Sequence, residues 1–186
     1  IQYPSVSPDG KSIVFAWLAD LWIVNSNGGG AQRLTAHPGE ERRSAWSPDG
    51  KSIAFESDRD GGRNLFVMDL TSEAGEPIAG AARRITTLDR AVSLSGFSSD
   101  GASVLFSGNL DATLFRSTRM YKAAVDGSGS KPIGKLTEAF GGTPRMSADG
   151  ARVTFTRGRP DLNRPKYQGS GNTDVFEMRT GDGNFR

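Results

Sequence analysis

One nine-residue pattern occurs four times along the chain and constrains the fold more than any other feature. The copies read SPDGKSIVF, SPDGKSIAF, SSDGASVLF and SADGARVTF, and they span residues 7–15, 47–55, 98–106 and 147–155. Their aspartates are 40, 51 and 49 residues apart. Internal repeats of this period indicate an array of similar supersecondary units, such as a solenoid or a propeller.

The start of each copy has the chemistry of a tight hairpin turn. Pro48 suits the first central turn position because its ring fixes φ near about −65°, and Asp49 fits the second. Gly50 can adopt the left-handed conformation that lets two strands continue as a hairpin. Copies three and four replace the proline by Ser99 and Ala148 but keep the Asp-Gly pair. Turn chemistry therefore explains these residues better than metal binding or catalysis: Asp9, Gly10, Asp49, Gly50, Asp100, Gly101, Asp149 and Gly150.

Further elements follow each turn in a fixed order. Apolar residues first alternate with period two, which indicates a strand with one buried face. The next strand carries an aromatic residue in all four units, and we interpret this series as packing between units: Trp22, Phe66, Tyr121 and Phe176. A short element, RLT, RIT or KLT, follows in the first three units at residues 33–35, 84–86 and 135–137. Each unit is thus predicted to have four strands, named A to D.

Four strands in a unit of 40 to 51 residues are typical of a propeller blade. With 24 glycines, 9 prolines and 35% hydrophobic residues, the composition also suits short strands and tight turns. We predict an all-β fold, a β-propeller of four-stranded antiparallel blades at about residues 1–38, 39–89, 90–140 and 141–186. We expect the fourth blade to lack its last strand and the ring to be incomplete, so that these residues alone would be unstable because two edges stay open.

Composition argues against several classes of function. The net charge is +2 and the charges are interspersed, whereas a nucleic-acid binder shows clustered basic residues with aromatics between them. The absence of cysteine excludes disulfides, thiolate zinc sites and cysteine nucleophiles. The sequence contains no run of 18 apolar residues, so no transmembrane helix is predicted. No cofactor is predicted, and composition leaves the compartment open.

No catalytic or metal-binding residue is predicted within the segment. His37 is the single histidine and falls in an exposed D–A loop, and the chain has no G-x-S-x-G nucleophile motif. The sequence SDRDGG at residues 57–62 fails as a calcium loop because Asp69, in strand C, occupies the position of the terminal glutamate. It is predicted to be a B–C turn. The run Gly28–Gly30 is predicted to be a strand connection, since no helix follows to bind a phosphate.

Candidate binding residues lie in the B–C and D–A loops, which share one face of a propeller. Long loops on one face of a rigid scaffold often carry binding functions. That face is expected to include Glu40 and two insertions, residues 108–118 and 158–173. The candidates for contact with a peptide or a partner are Arg42, Arg43, Arg90, Arg159, Arg164, Lys166 and Tyr167. The alternative, that these loops only pack onto a neighbouring domain, stays open.

Two levels of family resemblance follow from these motifs. The series SPDGKSIAF, DLW and RLT resembles the TolB-type propeller repeat over the whole chain. More narrowly, Tyr3-Pro4, GGGAQRLT, residues 114–133 and residues 163–186 are similar, in this order, to the N-terminal propeller of tricorn-type proteases. The last stretch keeps Lys166 and Tyr167 but has one glycine where that family has a pair.

The tricorn resemblance implies the first four blades of a six-bladed propeller in a large serine peptidase. A second propeller, a small peptide-binding domain and the catalytic core would lie beyond Arg186. The implied role is to guard peptides or channel them to that core, with basic residues such as Arg90 meeting peptide carboxylates. The implied partners are peptides and adjoining domains, and homo-oligomer formation stays open.

Two other functions remain open at this stage. One is a non-enzymatic, TolB-like scaffold that binds a protein partner, and the other is the propeller of a prolyl-oligopeptidase-type enzyme. The resemblance implies a cytoplasmic protein, with a periplasmic or secreted location as alternatives.

Overall fold

Antiparallel β-sheet accounts for all the regular structure in the described part of the chain. The computed structural model describes residues 1–73, 75–110, 118–133, 141–157 and 174–180. These residues form strands and turns, and they include no helix long and apolar enough to cross a membrane. Four small sheets are arranged as the blades of a β-propeller, which confirms the predicted fold class.

Each blade begins with strand A nearest the axis and continues outward in chain order. Blade 1 contains β1 (Gln2–Val6), β2 (Ser12–Trp17), β3 (Asp20–Asn25) and β4 (Gln32–Arg33). Blade 2 contains β5 (Glu41–Trp46), β6 (Ser52–Ser57), β7 (Asn64–Glu73), β8 (Glu76–Ala79) and β9 (Arg83–Arg84). Blade 3 contains β10 (Val92–Phe97), β11 (Ser103–Gly108), β12 (Arg119–Ala124) and β13 (Ser130–Pro132). Blade 4 contains β14 (Gly142–Met146), β15 (Arg152–Arg157) and β16 (Asp174–Arg179).

The Asp-Gly turns join strands A and B as predicted, and a serine completes each one. In blade 1 the Ser7 hydroxyl donates to Asp9 Oδ1 at 2.7 Å, and the Lys11 N–H donates to the same oxygen at 3.1 Å. The Ser12 N–H donates to Ser7 Oγ at 2.9 Å. Gly10 adopts a φ of 74°, so the left-handed position is confirmed. The other three turns repeat this network.

The turn aspartates are held in their ionised form by this network. The serine hydroxyl, followed by the backbone N–H, lowers the pKa of each carboxyl below its ordinary value of 3.8; the four are Asp9, Asp49, Asp100 and Asp149. A lowered pKa in the folded state stabilises the fold above pH 3.8. That contribution is lost as the pH falls through the folded-state pKa.

Gly10→Ala is expected to lower the free energy of unfolding by about 1 kcal/mol. No heavy atom lies within 4 Å of a Cβ built on Gly10, so the cost comes from its positive φ alone. Gly30→Ala is the matched control, because Gly30 is equally open but has no positive φ. Urea unfolding of both variants tests the prediction, and equal losses of stability would contradict it.

The blades pack through the aromatic residues that the repeat predicts. In blades 2, 3 and 4 the phenylalanine of strand B stacks on the aromatic of strand C, with ring centroids 5.8, 5.4 and 5.8 Å apart. The Phe55–Phe66 pair packs against Val14 and Leu21 of blade 1 in one buried cluster. Equivalent clusters join blade 2 to blade 3 and blade 3 to blade 4. The prediction that the aromatic series packs between blades is confirmed for Phe66, Tyr121 and Phe176. Trp22 instead contacts Trp17 of its own blade, with ring centroids 5.2 Å apart.

The fourth strand of blade 3 lies earlier in the sequence than predicted. KLT at residues 135–137 was expected to form it, but β13 does so, with Pro132 opposite Tyr121. The N–H of Ile133 donates to the Met120 carbonyl at 2.9 Å, and Ile133 is buried. Residues 135–137 lie outside the described residues. The hydrogen-bond register, and not the similarity of KLT to RLT, determines which residues form the fourth strand. Pro132 is tolerated there because the strand lies at the outer edge of the sheet. The equivalent pairs are Trp22–Arg33 and Phe66–Arg84.

Blade 2 has a fifth strand that the repeat does not predict. The strand C aromatic, Phe66, is 19 residues before Ile85, whereas the corresponding spacing from Trp22 to Leu34 is 12. The extra residues extend β7 and return as β8, which pairs with it from Leu70 to Glu73. The insertion therefore forms a hairpin between strands C and D, on the opposite side from the B–C loops.

Candidate functional site

The four A strands line a cavity of 640 Å³ at the axis of the propeller. Its walls come from β1, β5, β10 and β14, together with residues of the turns that follow all four strands and Leu105 of β11. Strand A of each described blade therefore faces this central cavity, called the channel below. Each blade therefore contributes one short strand to the wall. Equivalent residues of the four repeats face one another around the cavity.

A bulge distorts each A strand on this wall. The pairing of strands A and B shifts register in all four blades. Three non-glycine residues, each six positions before the turn aspartate, have positive φ: Tyr3 at 50°, Arg43 at 38° and Thr143 at 49°. Such backbone costs about 1–3 kcal/mol per residue and is concentrated at functional sites. Bulges also redirect side chains at barrel rims and active sites.

Arg43 is a solvent-accessible cation held at the channel wall by two contacts. Its guanidinium carbon lies 4.8 Å from the centroid of the Tyr3 ring, in the geometry of a cation–π interaction. Its Nε lies 3.5 Å from Oε1 of Glu56. The Arg43 side chain is nevertheless 43% exposed. The contacts orient the guanidinium while leaving donors that a ligand can reach.

Glu56 is a buried carboxylate that joins blade 2 to blade 3. It is 1% exposed, and the N–H of Leu94 in β10 donates to its Oε1 at 2.8 Å. Arg63 Nε lies 3.9 Å from the other carboxylate oxygen. Burial raises the pKa of Glu56, while the Leu94 N–H and the nearby arginines act in the opposite direction.

The sequence analysis missed Glu56, although the repeat contains a signal for it. The equivalent residues in the other blades are Ala16, Ser107 and Thr156, all of them uncharged. A glutamate at this position, which points between blades, is therefore the one charged residue in an otherwise uncharged series. Buried charges need hydrogen-bonded partners, so such a residue predicts a specific interaction.

Arg145 supplies the second cation of the cavity wall. Its Nη1 donates to the carbonyl of Ser95, so the side chain reaches from blade 4 to blade 3. A Cβ built on Gly96 would lie 3.1 Å from this nitrogen, so the guanidinium packs closely on the Gly96 backbone. Arg43 and Arg145 are the two charged residues among the described residues that line the cavity. The lining is therefore cationic.

The structure places the other predicted binding residues in different settings. Arg42 lies beside Arg43 within β5, not in a loop as expected, and pairs with Glu40. That hydrogen bond raises the pKa of Arg42. Arg90 is exposed in the loop between β9 and β10 and does not line the cavity. The remaining candidates lie outside the described residues: Arg159, Arg164, Lys166 and Tyr167.

The B–C and D–A loops meet on one face, as expected. The N–H of Glu40 donates to Asp58 Oδ1 at 2.7 Å, which joins a D–A loop to the B–C turn of blade 2. In that turn the Gly61 N–H donates to the Asp58 carbonyl at 3.1 Å, and Gly61 and Gly62 both have positive φ. Residues 57–62 thus form the predicted turn. Within the described ranges no three acidic or histidine side chains are grouped to hold a metal ion.

His37 is half-buried, not exposed as predicted. Its Nδ1 accepts a hydrogen bond from the N–H of Gly39 at 3.0 Å, two residues along the same loop. The backbone of Gly39 is itself packed against Arg59, since a Cβ there would lie 2.8 Å from the Arg59 Cα. The histidine ring therefore stabilises the conformation of a tightly packed D–A loop.

A family model describing the tricorn protease N-terminal β-propeller domain matches residues 1–186. The chain belongs to this family. The tricorn-type propeller is also 32% identical over 120 residues to "Uncharacterized peptidase YuxL" of Bacillus subtilis strain 168. That match covers 58% of the chain and 17% of the relative.

Solved structures show the same fold. A TolB from Acinetobacter baumannii matches with a TM-score of 0.70 and 18% identity, covering all of the chain and 42% of that protein. The tricorn protease matches with a TM-score of 0.67 and 22% identity, covering 95% of the chain and 17% of that protein. The tricorn-type propeller thus spans less than half the length of each of these proteins.

Proposed function

We propose that this chain is the propeller module of a larger tricorn-like serine peptidase. It guards peptides, or channels them, to a catalytic core outside residues 1–186. Membership of the tricorn propeller family and the likeness to a peptidase from Bacillus subtilis support this proposal. The propeller itself supplies binding and access, and the serine chemistry belongs to the other part of the polypeptide.

The observation that carries the proposal is the oriented cation in the channel wall. Arg43 lies at a bulge with positive φ, stacks on Tyr3 and remains partly exposed to the cavity. A guanidinium in this setting binds a carboxylate through charge-assisted hydrogen bonds. A peptide offers such a group at its C-terminus, so Arg43 is suited to meet peptides in the channel. Arg42 pairs with Glu40 and Arg90 lies outside the cavity lining, so the proposal rests on Arg43.

The second candidate function is a non-enzymatic, TolB-like scaffold that binds a protein partner. The fold resembles TolB as closely as it resembles the tricorn protease, with TM-scores of 0.70 and 0.67, which supports this second candidate. In that case the same cavity would receive a segment of the partner. The full-length protein would then have no peptidase activity, which separates the two functions.

Arg43→Ala in the full-length protein is expected to raise KM about tenfold for peptides with a free C-terminal carboxylate. One lost charge-assisted hydrogen bond at a partly exposed site accounts for an effect of this size. The value of kcat should stay unchanged because Arg43 is remote from the bond that is cleaved. Steady-state kinetics with matched free-acid and C-terminally amidated peptides measure both quantities.

The amidated peptides and a second variant are the controls. Amidated peptides should show the same KM with both proteins, since they lack the group that Arg43 meets. Lys51→Ala removes an exposed cation from the opposite face and should change neither constant. An equal loss for free-acid and amidated peptides, or no change in KM, would contradict the assignment of Arg43.

A further inference from the structure

A groove of 1010 Å³ lies between blades 1 and 2 on the side of the Asp-Gly turns. One wall comes from the turn and the C–D loop of blade 1, residues 7–9, 11–12 and 28–30. The other comes from the turn of blade 2 and the β7–β8 hairpin. In the described part of the chain, blade 2 is the blade with this extra hairpin, so the groove is a local addition to the repeat.

The hairpin is fixed against blade 1. Gln32, in the outer strand of blade 1, donates its Nε2–H to the carbonyl of Pro77 at 2.8 Å. Gly80 N–H donates to the Asp69 carbonyl, so the alternation along the ladder directs the Pro77 backbone away from β7. At that outward position a proline offers no N–H, and Gln32 already uses its carbonyl. A partner cannot readily extend this edge as another strand, so the groove itself is the available surface.

The groove has an apolar base and an open glycine wall. Ile23 is buried, and Trp46 and Leu70 are partly buried around the same blade 1–blade 2 core. Opposite the hairpin, a Cβ built on any of Gly28, Gly29 or Gly30 would meet no heavy atom within 4 Å. This leaves room for a chain to lie along the backbone of the loop.

The charges at the rim are mainly acidic. Asp9, Asp49 and Glu76 line the groove. Lys11 is the one basic residue among the described residues of the lining, and its Nζ lies 3.9 Å from Asp9 Oδ2. The turn network keeps Asp9 and Asp49 ionised by lowering their pKa values. The groove therefore has the opposite charge to the channel lining.

We propose that this groove docks an extended, cationic polypeptide segment. Aliphatic side chains of the segment would contact Ile23, Trp46 and Leu70, and lysine or arginine side chains would pair with the acidic rim. This combination of an apolar floor and a charged rim is the usual anatomy of a binding interface. The groove adjoins the channel at Pro8, Trp46 and Pro48, which line both, but Arg43 does not line it, so its test does not depend on the peptidase proposal.

The steric test uses a tryptophan on each face of the hairpin. Ser72 shares a face with Leu70 and Pro77 and lines the groove, so Ser72→Trp fills it. Ile78→Trp is the matched control, since Ile78 is on the other face and 41% exposed. The probe is a fluorescein-labelled acetyl-(Lys-Leu)₃-amide, titrated with the full-length protein by fluorescence anisotropy. Ser72→Trp should weaken binding at least about tenfold, while Ile78→Trp and Arg43→Ala should not change it.

The charge test reverses one acid inside the groove and one outside it. Glu76→Lys should weaken binding of the same probe about fivefold and reduce its salt dependence. Glu73→Lys, on the same hairpin but outside the groove lining, should have a smaller effect. Acetyl-(Glu-Leu)₃-amide should not bind.

Several results would overturn the proposal. These are no binding of the lysine peptide at millimolar concentration, equal binding of the acidic peptide, or equal affinities of the Ser72→Trp and Ile78→Trp proteins. Dissociation of an oligomer by Ser72→Trp in sedimentation velocity would instead show that a second copy occupies the groove.

Discussion

Phe55→Ala is expected to lower the free energy of unfolding of the propeller by about 3–5 kcal/mol. Phe55 is fully buried between blades 1 and 2, and its ring stacks on Phe66 with centroids 5.8 Å apart. The guanidinium of Arg59 lies 5.3 Å from the same ring and would lose this contact. Truncation leaves a cavity at the blade interface that rigid strands on both sides cannot close. Urea unfolding followed by circular dichroism gives the change.

Two further variants control this prediction. Val175→Ala removes methyl groups from a residue that is 75% exposed and should change the free energy of unfolding by less than about 0.5 kcal/mol. Phe55→Leu keeps most of the buried volume and should cost less than Phe55→Ala. If Phe55→Ala lowered the free energy of unfolding no more than Val175→Ala does, the described packing of blade 2 on blade 1 would be contradicted.

Glu56→Ala is expected to lower the free energy of unfolding by about 3 kcal/mol. The substitution leaves the buried N–H of Leu94 without its acceptor and removes the carboxylate between Arg43 and Arg63. Glu56→Gln keeps an oxygen acceptor for Leu94 and should cost about 1 kcal/mol or less. Urea unfolding of the two variants separates these outcomes, and equal losses would show that the Leu94 hydrogen bond is unimportant.

The same site predicts a pH dependence whose sign follows from the burial of Glu56. Burial raises the pKa of Glu56 above its ordinary value of 4.5 despite Arg42, Arg43 and Arg63. The stability that this group contributes is present below pH 4.5 and is lost as the pH rises through the folded-state pKa. The wild type should therefore lose stability relative to Glu56→Gln over that range. Unfolding of both proteins at a series of pH values tests this, and a difference that is constant or has the opposite slope would contradict it.

The repeat predicted the fold because its steric and packing requirements are local. Gly10 and its three equivalents need positive φ, and the aromatic series must pack between blades, so a single sequence reveals both. The role of the serine before each turn was not predicted, although Ser7 donates a hydrogen bond to Asp9. The fourth strand of blade 3 was misplaced because a two- or three-residue edge strand carries little pattern, and only pairing with Tyr121 identifies it.

The site was less predictable than the fold because it depends on contacts between blades. Arg43 was a candidate from its charge, but its stacking on Tyr3, 40 residues away, is a consequence of the packing of β1 and β5. Glu56 was missed because its partner, the Leu94 N–H, has no side-chain signature in the sequence. The groove likewise depends on the unpredicted β8, which extends away from the face where binding was expected.

The claim that this propeller serves a serine peptidase is tested most directly by covalent labelling. The full-length protein is treated with a fluorophosphonate probe, and the modified residue is located by mass spectrometry while peptide hydrolysis is followed. The account predicts one labelled serine outside residues 1–186, with hydrolysis lost in proportion to labelling. A protein that takes up no label and hydrolyses no peptide, yet binds a protein partner through this propeller, would contradict it.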